Sequence, residues 1–283
     1  MALTFHDLLV PRPELDRMRR ELYHSEGPGY ARLPGFVPPD FVRHLVDFWV
    51  HSYEPSEEQR RSRSKGDLHL GAPNYSKVRS EGRGASHFNF FWNPCADQVT
   101  QAVSLVVALV RNQVEGRPLY DELFPLEGRS TSFRVVITRQ GSPVREHSDW
   151  EEDFNRLQAT LFLSRWGKDY RGGGFHLESN RGDTLLFGRD IEVEPGDLVL
   201  WRYRNRHSVR DVESSPGELG FVRILYPPEL CHPTPDTTGP APPPEGGRAA
   251  TRAAPTRFRQ RLRRIPGVER WVRPLLHRLR GRR

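Results

Sequence analysis

Three residues stand out for the chemistry their types and spacing allow: His147, Asp149 and His207. In extended chain, residues i and i+2 point to the same side, so the imidazole of His147 and the carboxylate of Asp149 can reach one metal ion. His207 opens the run HSVRDV 60 residues later and must arrive from another strand. Two imidazoles and a carboxylate on one face of an octahedral metal leave three positions open to other ligands. The same triplet pattern occurs at His24-Ser-Glu26, but ahead of the first helix, with no strand context and no later partner. Without such context, His147 and His207 read as packed histidines and Asp149 as a solvated acid. Downstream, FVRILY sets Phe221, Arg223 and Leu225 on one face of a strand, so Arg223 is expected to project from an apolar wall, where a guanidinium can hold a carboxylate through two parallel hydrogen bonds. A surface ion pair for Arg223, and Arg210 in its place, are the competing assignments. His176 lacks a carboxylate at i+2 and reads as a packing or supporting histidine. Trp150, Glu151, Glu152 and Asp153 follow the triplet as a solvated loop, or as a pocket mouth that favours a cationic ligand.

These residues need a strand-rich frame, and the chain changes period at about residue 131 to supply one. Short alternating or apolar runs at 133–138, 158–164, 174–178, 184–187, 191–193, 197–203, 207–212 and 220–226 are separated by Gly, Pro, Asp or Asn. They predict a sandwich or small barrel, and no strand–helix–strand alternation argues for a doubly wound sheet. Ahead of them, Phe41, Val42, Leu45, Val46, Phe48 and Trp49 fall on one helical face after a Pro38-Pro39-Asp40 cap. A second helix, begun by Asn93-Pro94, carries Val99, Val103, Val106, Val107, Val110 and Val114, a stripe fit to pack under a sheet. The polar, Gly-punctuated stretch 54–87 reads as a loop or lid.

The formal net charge of +7 is unevenly distributed. Residues 248–283 hold 13 Arg and one acid, a net of +12, which leaves −5 on residues 1–247. Residues 227–247, with eight Pro and three Gly, read as an extended linker. The expected organisation is therefore a body over 1–226, a linker over 227–247 and a tail over 248–283. Within the tail, Val268, Trp271, Val272, Leu275, Leu276 and Leu279 form an amphipathic basic helix suited to an anionic membrane surface or an acidic protein, a helix folded back on the body and a disordered tail being the other readings. Of the 43 basic residues, 40 are Arg, a skew that composition bias explains, so nucleic acid is not the expected partner. Two cysteines exclude a disulfide scaffold and a Cys-rich zinc site, and with no apolar run of signal-peptide length near the N-terminus the expected setting is cytoplasmic.

The motifs around the triplet form a recognisable series. FRVVITRQGSPVREHSDW leads into His147 and Asp149, LFLSRWGKDYRGGGFHLE brings paired glycines, VEPGDLVLW turns into the strand before His207, and Arg223 follows. Over residues 131–227, and more loosely over GYARLPGFVPPDFVRHL, the chain resembles the Fe(II)/2-oxoglutarate-dependent oxygenases of the prolyl-hydroxylase-like and phytanoyl-CoA-hydroxylase-like branches. The resemblance implies a mainly β fold with supporting helices, the double-stranded β-helix or jelly roll. It implies His147, Asp149 and His207 as ligands of Fe(II), Arg223 as the anchor of the far carboxylate of 2-oxoglutarate, and dioxygen as oxidant. Arg223 lies 16 positions after His207, longer than the prolyl-hydroxylase spacing. Retention of Asp149 argues against halogenation, and hydroxylation of a small molecule, a natural-product intermediate among the candidates, is the expected reaction. A cupin-type metal protein and a non-enzymatic module with a basic tail are the alternatives.

Overall fold

The computed structural model describes residues 10–60, 71–79, 82–123, 131–141, 144–148 and 156–228. The proposed linker from residue 229 on, the basic tail, and Asp149 to Asp153 lie outside them.

Among the described residues the chain forms three α-helices and eleven strands: α1 (Arg12–Tyr23), β1 (Tyr30–Leu33), α2 (Pro39–Val46), β2 (Tyr75–Val78), β3 (Gly84–Phe90), α3 (Gln98–Glu115), β4 (Ser132–Thr138), β5 (Val144–His147), β6 (Leu157–Phe162), β7 (Arg171–Glu178), β8 (Thr184–Leu186), β9 (Leu198–Arg202), β10 (His207–Glu213) and β11 (Phe221–Tyr226). The strands pair antiparallel in two sheets, one of order β1-β9-β6-β11-β4-β3-β2 and one of order β5-β10-β7-β8. This is the jelly-roll architecture, mostly β with few helices.

Period-two alternation sorts the large sheet into two faces. Leu157, Ala159, Leu161, Leu198, Leu200, Phe133, Val135, Ile137, Val222 and Ile224 face the helices and join the α3 valines in one core. The intervening residues face the second sheet, where Phe162, Val199, Trp201 and Phe221 meet Phe175, Leu177 and Val209 in a separate inner core. The Pro-Gly-Asp turn ties the entry segment to this frame. Asp197 accepts hydrogen bonds from Arg32 Nε (2.8 Å) and the Gly35 amide (2.6 Å). Gly196 has φ +98°, and a Cβ there would lie 2.4 Å from the Val37 carbonyl.

Several boundaries differ from the sequence expectation. The α3 helix begins at Gln98, because the Asp97 carboxylate caps it by accepting from the Thr100 amide at 2.7 Å. Pro38, with no side-chain cap, precedes α2, which passes into a wider π turn over Asp47–Ser52. Residues 191–193 form only a single bridge, Phe187 to Ile191. The expected loop over 54–87 contains the hairpin strand β2 and the start of β3, which widen the large sheet; their alternation was masked by polar residues at both faces, and α1 had no sequence expectation.

His87 in β3 faces the helical side, packed on Trp49 and Tyr53 with ring centroids 5.2 and 5.0 Å away and its Nδ1 2.8 Å from Ser76 Oγ. Burial lowers its pKa from 6.5 to about 4. An unfolded chain takes up this proton below pH 6.5 while the folded chain does not, so the stability is fully present above pH 6.5 and is lost as pH falls toward 4. Between pH 7.5 and pH 5, His87→Gln should lose about 2 kcal/mol less stability than the wild type. Urea unfolding at both pH values measures this, and equal losses would show that His87 does not carry the effect.

Candidate active site

β5 and β10 pair with His147 directly opposite His207, and a register irregularity follows between His207 and Val209. The ring centroids of the two histidines are 4.3 Å apart. Each ring is fixed by a carbonyl two residues earlier in its own chain: His147 Nδ1 is 2.7 Å from Arg145 O, and His207 Nδ1 is 3.0 Å from Asn205 O. A carbonyl oxygen only accepts, so both Nδ1 atoms carry the proton and the Nε2 lone pairs are set as metal donors. The Trp201 ring packs on His207 at 4.5 Å, and its own indole N–H donates to Thr160 Oγ1 at 3.3 Å. Asn205 Nδ2 donates to Glu178 O at 2.8 Å, which pins the turn before His207. On the outside, Arg206 and Glu146 pair at 2.6 Å and join the same two strands at the surface.

The structure therefore brings His147 and His207 together from strands 60 positions apart. Asp149 lies outside the described residues, among which no group of three His, Cys, Asp or Glu side chains is gathered as a metal cluster. His24 ends α1, and its Nδ1 accepts from the Glu26 amide at 3.2 Å, so that triplet is a local turn. His176 lies next to Leu177 in β7, and Leu177 is the residue opposite His207; alternation turns His176 to the other face, with its Nδ1 3.0 Å from Gly174 O. Arg210 is exposed outside the barrel, against Gly173.

Arg223 is buried on the inner face of β11. Its guanidinium stacks on Phe221 at 4.4 Å, while Nε and Nη1 have no hydrogen-bond partner. Burial lowers its pKa to about 10. Tyr170, at 4.9 Å from Phe221, presents a second buried donor without a partner, and burial pushes its hydroxyl up. Arg223 and Tyr170 both pack on the Phe221 ring, so the two groups border one space. A carboxylate there would satisfy both sets of orphaned donors, and the residues present fit one. Sequence reasoning missed Tyr170, because one tyrosine ahead of the triple glycine has no spacing that marks it.

Residues 133–225 match the 2OG-Fe(II) oxygenase superfamily. Among solved structures, the non-heme alpha ketoglutarate dependent epimerase SnoN from nogalamycin biosynthesis is 11% identical, covering 81% of this chain and 93% of its own, with a TM-score of 0.50. SnoN has also been solved with Fe3+ and alpha ketoglutarate. A Pseudomonas putida prolyl-4-hydroxylase is 17% identical (75% of this chain, 96% of that one, TM-score 0.44), and a full-length Neurospora crassa protein solved in complex with alpha-KG is 12% identical (80% and 82%, TM-score 0.48). No curated protein sequence matches significantly. The match over 133–225 is to a superfamily of oxidoreductases that use Fe(II), 2-oxoglutarate and dioxygen.

The unpaired guanidinium has a measurable consequence. Arg223→Met removes a buried charge that lacks a partner and keeps an apolar stem of similar length, so it should stabilise the ligand-free protein by about 1 to 3 kcal/mol. Thermal unfolding without 2-oxoglutarate measures the change, and a lower melting temperature would show that the guanidinium is already compensated.

Proposed function

We propose that this chain is a 2-oxoglutarate-dependent dioxygenase that hydroxylates a small molecule, with His147, Asp149 and His207 holding Fe(II) and Arg223 holding the far carboxylate of the co-substrate. The observation that carries the reading is the opposition of two Nδ1-protonated histidines in the same barrel as a buried guanidinium with unmet donors. When bound together, Fe(II), 2-oxoglutarate and dioxygen supply the oxidation of an unactivated C–H bond, with succinate and carbon dioxide as coproducts.

The chain's own residues do the rest. His147 and His207 offer Nε2 lone pairs, with ring rotation restrained by the Arg145 and Asn205 carbonyls. Trp201 covers one side of His207, and the inner wall of Phe162, Phe175, Phe187 and Phe221 excludes water from the space behind it. Arg223 and Tyr170 donate to the carboxylate and thereby fix how far the co-substrate reaches along the barrel. The epimerase among the structural neighbours uses the same co-substrate, so product identity separates hydroxylation from other outcomes.

Anaerobic titration with Fe(II) and 2-oxoglutarate, followed by succinate release across amino acids, aminosugars and carrier-bound acyl groups, tests the proposal. His147→Ala and His207→Ala should each weaken Fe(II) binding by more than about 100-fold, beyond the loss typical of a supporting residue, while the fold is retained. Arg223→Leu should weaken 2-oxoglutarate by about 2 to 5 kcal/mol, because one charge of a buried pair is left alone. Wild-type protein that binds Fe(II) but neither binds nor turns over 2-oxoglutarate would favour a cupin-type reading instead.

A further inference from the structure

Arg79 immediately follows β2, and its amide donates to the Gly84 carbonyl at 2.9 Å, which carries the β2–β3 ladder one residue further. Alternation puts Arg79 on the face of Tyr75 and Lys77. That face continues the one that lines the barrel interior further along the sheet, because Tyr75 pairs with Phe88 and Phe88 with Arg134, whose neighbours Phe133 and Val135 face the helices; at the β2 edge Lys77 on it is exposed. The registers then define two adjoining rows across the sheet. One runs Arg79, Gly84, Thr138, Phe221, and the other runs Lys77, Ser86, Val136, Arg223.

On β3 the two rows carry Gly84 and Ser86, both small. Gly84 has φ +146°, and a Cβ would lie 2.1 Å from the Ile137 carbonyl, so only glycine fits. A long side chain on β2 can therefore lie across β3 toward β11. The Arg79 charge is close enough to depress Arg223 further, beyond the effect of burial. Arg79 Nη1 is itself buried with no hydrogen-bond partner, and burial lowers its pKa as well. Two guanidiniums thus approach one interior space, each with unmet donors. No carboxylate among the described residues contributes to the electrostatics of Arg223. Like charges so arranged repel, and an anion seated between them removes both the repulsion and the unmet hydrogen bonds.

Direction along the barrel narrows the choice of anion. Trp201, beside His207, pairs with Gln158, whereas Arg223 pairs with Phe162, four residues further along β6, and the Arg79 row lies beyond that. Arg79 is therefore at the end away from the histidines. We propose that Arg79 is a second cation of the co-substrate pocket, sharing the far carboxylate of 2-oxoglutarate with Arg223 and making the pocket selective for dicarboxylic 2-oxo acids. This rests on the assignment of Arg223 given above.

The test compares wild type with Arg79→Leu, Arg79→Gln and Arg223→Leu, each loaded anaerobically with Fe(II). Equilibrium affinity is measured for 2-oxoglutarate and for 2-oxobutyrate, which lacks the far carboxylate. Arg79→Leu and Arg79→Gln should weaken 2-oxoglutarate about tenfold, the worth of one charge-assisted hydrogen bond, and leave 2-oxobutyrate unchanged. In the absence of any 2-oxo acid, the melting temperature of Arg79→Leu should rise, because one of two repelling charges is gone. If Arg223→Leu weakens 2-oxoglutarate while both Arg79 variants bind it normally, the Arg79 role is overturned and the Arg223 assignment stands. If Arg223→Leu also has no effect, the pocket itself is wrongly assigned. Equal weakening toward both acids would mean that Arg79 shapes the barrel and does not contact the carboxylate.

Discussion

The constraint on which the rest depends is that each strand of the large sheet must satisfy two different neighbours. One face of β4, β6, β9 and β11 lies against α3 and its partners, and the other lines the space between the sheets. Because side chains alternate strictly, a strand cannot favour one face without setting the other. The helical face is filled with aliphatic residues and gains the usual hydrophobic stabilisation, about 25 cal/mol per Å2 buried. That stability lets the inner face hold groups that would not otherwise be buried.

Those groups are arranged in order along the barrel. His147 faces His207, which packs on Trp201, Arg223 lies further in on β11, and Arg79 lies beyond it at the hairpin edge. A cation with unmet donors in a low-dielectric interior opposes folding, and such a group persists only where the surrounding packing over-determines it. Phe221 and Tyr170 do so here by fixing the guanidinium plane and enclosing it. The same enclosure gives a bound carboxylate a stronger interaction than water would allow, so the feature that opposes folding is the one that favours a ligand. Local positive-φ glycines serve this layout: Gly196 lets the entry segment approach β9, and Gly84 opens the path across β3.

Much of the fold was legible because its signals are local. The runs at 133–138, 197–203 and 220–226 alternate clearly, and they became β4, β9 and β11 with small shifts at the ends. The valine stripe after residue 97 marked α3, although Asp97 and not Asn93 caps it, since a cap is decided by which carboxylate reaches the third amide. The hairpin β2–β3 escaped because Lys77, Arg79, Gly84 and Ser86 on one face and Ser76 and His87 on the other leave no hydrophobic periodicity over 75–87.

By itself, then, the sequence determined the strand alternation, the triplet spacing of His147 and Asp149, and the apolar setting of Arg223, because each depends on neighbours within a few positions. It also marked His207 as the partner that must come from another strand. Only the tertiary structure decided that His207 stands opposite His147, that Arg210 and His176 turn away from the barrel interior, and that Tyr170 and Arg79 approach Arg223. Those outcomes depend on sheet register and on which strands become neighbours, and register is set by the summed burial of both faces across both sheets, a quantity that no short stretch of sequence contains.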